Sequence, residues 1–138
     1  MKNLRNAIYA KCAGSALDTL IAGQIFYGKA PFGTRYPYVV FFNVNDSLDL
    51  TFTDEFTDYL IQFSAFSANS TSSNEVYDIA EAIKALYNEC TLSITGSVLV
   101  WINLENVVGP QEDDSISQDG ADGGWSCHLD FNVKVSLN

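Results

Sequence analysis

The sequence has 138 residues, 47% of them hydrophobic, and it includes nine Phe, seven Tyr and two Trp. A chain of this length forms one domain and buries about two-thirds of its unfolded surface, so intrinsic disorder and a second core are excluded. Seventeen acidic residues against seven basic ones give a formal charge of −10. This charge opposes direct binding to nucleic acid or to an anionic membrane.

The three cysteines, Cys12, Cys90 and Cys127, are too few and too widely spaced for a disulfide scaffold or a C-x-x-C zinc site. The N-terminal segment resembles a signal peptide only in its first residues, because Lys11 and Asp18 interrupt any hydrophobic run. No stretch of about 20 apolar residues follows. We therefore expect a protein that is soluble, intracellular when made and kept in a reducing compartment.

Apolar residues recur at three- and four-residue steps from Asn3 to Ile21, which predicts a helix that ends before Gly23. Residues 25–27 predict a short strand, and the prolines and glycine of residues 31–37 place a loop after it. Two strands follow, at residues 38–44 and 59–66. We expect them to pair antiparallel through a polar, acidic connector over residues 45–58.

The surest helix of the sequence comes next. Residues 69–74 form a turn cluster, and Ser72 with Glu75 has the spacing of a capping box. A continuous apolar stripe runs from there to about Asn88, with charged residues on the opposite side. Residues 91–94 could begin a strand.

The C-terminal part of the sequence predicts two more strands. Val98–Val108 is apolar on both faces in its first half. Residues 109–124 contain Pro110, four glycines and five acids, which indicates a mobile surface loop without core residues. Strict alternation over residues 125–137 predicts a final antiparallel strand with one buried face.

These elements predict an α+β fold: an antiparallel sheet of about four to five strands with two helices packed on one face. We expect a single domain over residues 1–138, with mobile loops at 45–58 and 109–124. Helices on one face leave the second apolar face of residues 38–44 and 98–102 open to water. Such a patch is typical of a protein interface, so oligomerisation follows as a hypothesis; the alternative is that the two loops cover this face within one chain.

The residue types needed for catalysis do not converge in the sequence. His128 is the single histidine, and Asp130 shares its face of the predicted strand, but a surface cross-strand polar pair explains them better than an active site. The acidic residues 113–122 lack the alternating ligands and terminal Glu of an EF-hand, which disfavours metal binding. We expect no catalytic, cofactor-binding or metal site.

Charge is unevenly distributed along the chain. Residues 1–35 carry five bases and one acid, a net charge of +4, so the remaining residues carry −14. These unlike charges predict either contacts within one chain, between a basic first helix and acidic loops, or contacts between the bases of one subunit and the acids of the next.

Five segments occur in a distinctive order: Ile21–Phe26, Ala30–Pro31, Tyr36–Phe41, Ile79–Leu86 and Leu129–Val133. In this order they resemble the tail completion proteins of long-tailed bacteriophages, also called tail terminator or tail-to-head joining proteins. In that family a helix leads to a short strand, an Ala-Pro loop, a Pro-Tyr-Val-Val strand, a long connector, a third strand, a second helix and two closing strands. The third strand fits less well here, and the acidic loop is longer.

The resemblance implies a structural virion protein without catalytic activity: a ring, usually of six copies, that caps the tail tube, stops its polymerisation and joins the tail to the head. The implied partners are copies of itself, a tail tube protein and a head connector protein. No membrane and no specific nucleic-acid binding are implied, while DNA passes through the lumen of the ring. The implied location is the tail or neck of the virion, and the host cytoplasm during assembly.

Two alternatives stay open: a head–tail connector or minor head protein of a phage, and a small cytosolic ligand-binding domain. The candidate interface combines the open strand faces with acidic residues of the connector and the loop. Its residues are Tyr38, Val40, Phe42, Asp54, Glu55, Val98, Val100, Glu112, Asp113, Asp114, Asp119 and Asp122.

Overall fold

A computed structural model describes residues 1–50, 55–68, 72–118 and 120–136, through their backbone alone at 46–50, 55 and 121. The helices are α1 (Lys2–Cys12), α2 (Ala16–Leu20) and α3 (Asn74–Tyr87). The strands are β1 (Ile25–Tyr27), β2 (Tyr38–Leu50), β3 (Glu55–Ser67), β4 (Val98–Glu112), β5 (Ser117–Gln118), β6 (Ala121–Asp122) and β7 (Trp125–Ser136). Five of the strands form one sheet in the order β1-β2-β3-β7-β4, and β5 pairs with β6. The predicted α+β class is confirmed.

The N-terminal helix predicted as one element is two helices, α1 and α2. Gly14 has a φ of +76°, a conformation that opposes continuation of an α-helix. Ser15 then caps α2, because its hydroxyl accepts a hydrogen bond of 3.2 Å from the backbone N–H of Asp18. The Asp18 carboxylate in turn accepts a 3.0 Å bond from the N–H of Gly14. Local capping therefore outweighs the apolar periodicity that continues through this break.

The sheet is mixed, so the prediction of a wholly antiparallel sheet is wrong at β1. This strand runs parallel to β2, with Ile25 opposite Val39 and Tyr27 opposite Phe41. The loop of residues 28–37 carries the chain back to the end of the sheet where β1 began, which is what a parallel neighbour requires. The strands β2, β3, β7 and β4 are antiparallel to their neighbours, as predicted.

Most of the predicted connector at residues 45–58 is paired strand. β2 continues through a bulge at residues 43–45 to Leu50, which lies opposite Glu55 at the start of β3. The two strands are longer than predicted, because polar and acidic residues conceal the strand character of their ends. The mobility expected for residues 45–58 and 109–124 stays a prediction.

Helix α3 is confirmed, but its predicted capping box is wrong. Ser73 occupies the N-cap without a side-chain hydrogen bond, and Ser72 Oγ instead accepts a 3.1 Å bond from the N–H of Asn74. Glu75 reaches back to β3, where its carboxylate accepts a 2.5 Å bond from the Ser67 hydroxyl. The polar residues of this turn therefore fasten the helix to the sheet. Residues 91–94, where a strand could begin, form no strand.

The segment 109–124 contains more structure than expected. β4 continues to Glu112, and β5 and β6 form a short hairpin. Ile116 is 2% exposed, so the expectation that no residue of this segment is buried is wrong. Its side chain packs at Gly124, where an added methyl group would overlap the carbonyl oxygen of Ser67. The hairpin thus has an apolar anchor.

Buried side chains of the three helices and of the sheet form one hydrophobic cluster. Phe63 stands at its centre, with ring centroids 5.4 Å from Phe41, 4.7 Å from Tyr87 and 5.4 Å from Phe131. Tyr9 of α1 contacts Phe41 at 5.2 Å. The alternation predicted for β7 is confirmed from residue 127 to residue 135, where each odd-numbered residue is buried.

The first prediction concerns the hydroxyl of Tyr87, which donates a buried 2.9 Å hydrogen bond to the carbonyl oxygen of Ile8. The substitution Tyr87→Phe should lower the free energy of unfolding by about 1 kcal/mol, because it removes this link between α3 and α1. Urea denaturation measures the change. Tyr77 is 52% exposed on the same helix, so Tyr77→Phe should cost less than about 0.5 kcal/mol. Equal losses in the two variants would contradict this assignment.

The second prediction concerns the anchor of the hairpin. Ile116→Ala should lower the free energy of unfolding by about 2 kcal/mol or more, because it opens a cavity over Gly124. Val108 is 44% exposed, and Val108→Ala should cost less than about 1 kcal/mol. Hydrogen exchange at the N–H of Gly123, which bonds to the Ile116 carbonyl at 2.7 Å, should accelerate in the first variant only. Unchanged exchange in Ile116→Ala would show that this side chain does not hold the hairpin.

Candidate interaction surface

Phe41, Phe63 and Phe131 project from the buried face of the sheet. The other face of the sheet is called the open face. Strand pairing places Tyr38, Val40 and Phe42 of β2 on this face, opposite even-numbered residues of β3. The even-numbered residues of β3 lie opposite those of β7 in turn, from Phe66 opposite Ser126 to Phe56 opposite Ser136. The open face is therefore continuous across the sheet.

One end of the open face is aromatic. Tyr38 lies 6.4 Å from Phe26, 5.0 Å from Tyr36 and 5.2 Å from Phe66, measured between ring centroids. The Phe66 ring in turn meets His128 edge-on at 6.1 Å. These five rings join β1, β2, β3 and β7 across the sheet. Only Tyr38 among them was predicted as an interface residue.

The three β2 residues predicted for the interface are only partly accessible. Val40 is 8% exposed, and Tyr38 and Phe42 are half-buried. Residues 28–30 line a depression of about 390 Å³ together with these three side chains, Ser64 and Phe66. The open face therefore receives part of its cover from the loop after β1. The segment 109–124 also reaches this end of the face, as the sequence suggested, because Gln118 Oε1 accepts a 2.8 Å bond from the N–H of Tyr36.

The middle of the open face is polar. Ser64 Oγ and His128 Nδ1 share a hydrogen bond of 2.7 Å, and Gln62 Nε2 donates a 2.9 Å bond to Asp130 Oδ1. The residues of each pair lie directly opposite each other on β3 and β7. The prediction of cross-strand polar pairs is confirmed, because His128 and Asp130 each have their own partner on β3. These bonds link the two strands. Asp130 bonds to Gln62 and not to His128, so the groups do not form a nucleophile–base–acid relay.

At the opposite end of the open face a lysine lies between two aromatic rings. Lys134 Nζ is 4.9 Å from the ring centroid of Phe56 and 4.9 Å from that of Trp101. Trp101 is 40% exposed, and its indole N–H donates a 2.6 Å bond to Asn132 Oδ1. Sequence reasoning missed this site, because the pairing of β3, β7 and β4 brings together residues that lie far apart in the chain.

The edge strand β4 exposes apolar side chains, as predicted. Val98 is 56% exposed and Val100 is 44% exposed. They line a groove of about 420 Å³ that extends to Leu92 and Ile94 in the preceding loop. A groove on a sheet edge that has exposed valines in its lining is a suitable site for an apolar side chain of another subunit.

The acidic interface residues are only partly within the described ranges. Glu112, Asp114 and Asp122 line a polar depression of about 200 Å³ beside Trp125, and Asp113 Oδ1 accepts a 3.0 Å bond from the N–H of Ser115. Asp54 and Asp119 lie outside the described residues, and Glu55 is described through its backbone alone. Across the described ranges, no three His, Cys, Asp or Glu residues are arranged to hold a metal ion.

Burial changes the acidity of several groups. It raises the pKa of Tyr38 to about 12, with smaller contributions from Tyr36 and the charge of Asp113. Burial also raises the pKa of the thiols of Cys12, Cys90 and Cys127. Thiols of this kind are poor nucleophiles at neutral pH.

The third prediction follows from the raised pKa of Tyr38. In the unfolded chain a tyrosine loses its proton near pH 10, so between pH 10 and about pH 12 the folded state binds more protons and stability falls as pH rises. Tyr38→Phe should reduce this fall. Urea denaturation at several pH values from 9 to 12 measures it, and ultraviolet absorbance should show one fewer late-titrating phenol. An unchanged slope in Tyr38→Phe would contradict the prediction.

Comparison with known proteins places this surface in context. The sequence model of the family described as "Tail completion protein gp17" matches residues 6–121. A chain of the structure titled "Virion of native gene transfer agent (GTA) particle" aligns over 98% of this chain and 96% of its own, at 17% identity and a TM-score of 0.72, a likeness of fold. A second solved structure covers 97% of this chain and 95% of its own at 10% identity, with a TM-score of only 0.44.

A search of curated protein sequences gave no match. None of the helices in the described ranges combines the length and the apolar character needed to cross a bilayer. The family match extends over most of the chain, from the middle of α1 to β6. On this match the chain belongs to the tail completion protein gp17 family of bacteriophage tail proteins.

Proposed function

We propose that this protein is a structural virion component that assembles into a ring, caps the tail tube and joins the tail to the head. The observation that carries the proposal is the family match over residues 6–121. The fold likeness to a chain of a gene transfer agent virion supports it, because that chain belongs to a multi-protein particle.

The surface of the molecule gives an independent reason to expect assembly. The open face presents aromatic rings at both ends, and β4 exposes Val98, Val100 and Trp101 along one edge. Exposed apolar groups in this number favour contact with protein over contact with water. The polar centre at Gln62 and Asp130 fixes the strands while leaving half-exposed groups for hydrogen bonds to a partner.

The net charge suits a ring through which DNA passes. A formal charge of −10 per copy repels the phosphate backbone, so DNA would not be retained in the lumen. The proposed partners are further copies of this chain in a hexamer, a tail tube protein and a head connector protein. The proposed location is the tail or neck of the virion after assembly in the host cytoplasm. No catalytic role is proposed.

The fourth prediction tests assembly directly. The purified protein, alone and mixed with tail tube, should sediment as a species larger than one chain, and electron microscopy of the mixture should show a ring at one end of the tube. Tails assembled without the protein should vary in length and fail to join heads, and adding the protein should restore joining. A strict monomer that never associates with tail tube would exclude the proposed ring.

A matched pair of variants makes this test specific. Trp101→Ser removes an exposed ring of the open face, whereas Leu20→Ser removes a side chain of similar exposure, 44%, on α2. Association or joining should weaken in the first variant and persist in the second, with equal far-ultraviolet circular dichroism in both. Loss of joining in both variants would point to general destabilisation instead.

A further inference from the structure

The sheet has two edges, and they differ in charge. Strand order places β1 at one edge and β4 at the other, with no further strand beside either of them in the described ranges. Unpaired edges invite contact with another chain. In a ring of identical copies side by side, each interface joins two different surfaces of the same chain.

The β1 edge is basic and carries an exposed aromatic ring. The Arg5 guanidinium lies 5.4 Å from the ring centroid of Tyr27, at the outer strand. Lys29 is exposed in the loop that follows, and Phe32 is fully exposed at its tip. Among the residues that the structure describes, no carboxylate lies within 4 Å of Arg5 or Lys29. The charges of Arg5 and Lys29 and the ring of Phe32 are therefore available to a partner.

The β4 edge carries two acidic residues and contains the groove lined by Val98 and Val100. The N–H of Glu89 donates a 2.8 Å bond to the carbonyl oxygen of Ile102, which places Glu89 beside the strand. Glu105 is exposed on the strand itself, at a bulge. The groove of about 420 Å³ lies at the start of the same strand.

The middle of this edge is also protected from strand pairing. The N–H of Leu104 donates a 2.9 Å bond to Asn88 Oδ1, so backbone groups at residues 102 and 104 are already paired. Three register shifts interrupt β4 along its length, and bulges of this kind oppose extended pairing with a new strand. A partner at this edge is therefore held by side chains.

We propose that the β1 edge of one copy docks on the β4 edge of the next, with Phe32 in the groove and with Arg5 and Lys29 facing Glu89 and Glu105. This proposal rests on the proposed ring and names its subunit contact. A contact between two β4 edges or two β1 edges would bring like charges together, which electrostatic complementarity disfavours. The two edges thus select a head-to-tail order, the arrangement that closes a ring.

The fifth prediction is tested by charge reversal. Sedimentation equilibrium of the full chain should show association weakened about tenfold or more by Lys29→Glu and by Glu105→Lys, because each places like charges across the interface. In an equimolar mixture of the two single variants, opposite charges face each other only where unlike variants meet. The double variant Lys29→Glu/Glu105→Lys places opposite charges at every contact and should recover association. The wild-type association should weaken as salt rises from low to molar concentration.

The aromatic contact has its own variant and control. Phe32→Ser should weaken association about tenfold, and Leu20→Ser, which changes an exposed apolar residue of α2, should leave it unchanged. All the changed side chains are exposed, so thermal melts should stay close to that of the wild type.

The outcomes distinguish the proposed edge-to-edge contact from the proposed ring assembly. If the wild type associates but neither single charge reversal weakens it, or if the double variant fails to recover, the edge-to-edge contact is wrong while the proposed ring stands. If the wild type stays monomeric even beside tail tube, both are overturned. Weakening by each single variant with recovery in the double variant supports the proposed contact.

Discussion

The packing of aromatic rings around Phe63 is the interaction on which the rest of the structure depends. Phe63 lies in the central strand β3, between Phe41 of β2 and Phe131 of β7, and Tyr87 of α3 stacks on it at 4.7 Å. Because this one ring contacts two neighbouring strands and the longest helix, it fixes which side of each strand is buried. Large-to-small changes at such a position cost about 3–5 kcal/mol, a large share of the stability of a domain of this size.

The buried face in turn determines the chemistry of the open face. Side chains alternate along a strand, so once Phe63 points to the core, Ser64 and Gln62 must point away from it. Their partners His128 and Asp130 follow from the same register on β7. The open face is therefore not a leftover surface, since its polar bonds and its aromatic ends are tied to the same register as the core.

Periodicity in the sequence predicts α3 and β7 well, because each has one apolar side that packs on the core. It fails at Gly14, where a local cap breaks an apolar pattern, and at β1, whose parallel direction depends on the path of the next loop. The same limit applies to the surface. The exposed valines of β4 follow from the sequence alone, but the Lys134 site requires the pairing of three strands and leaves no local pattern.

The packing of Ile116 against Gly124 has an evolutionary consequence. The position of the acidic hairpin is set by Ile116 packed at Gly124 and by Gln118, whose Oε1 accepts a 2.8 Å bond from the N–H of Tyr36, while Asp114 and Asp122 are exposed. Exposed residues such as these can change from one phage to the next without moving the hairpin, as antibody loops vary on a constant framework. Rapid divergence in this segment would be compatible with an unchanged fold, so that partner choice and stability could be selected separately.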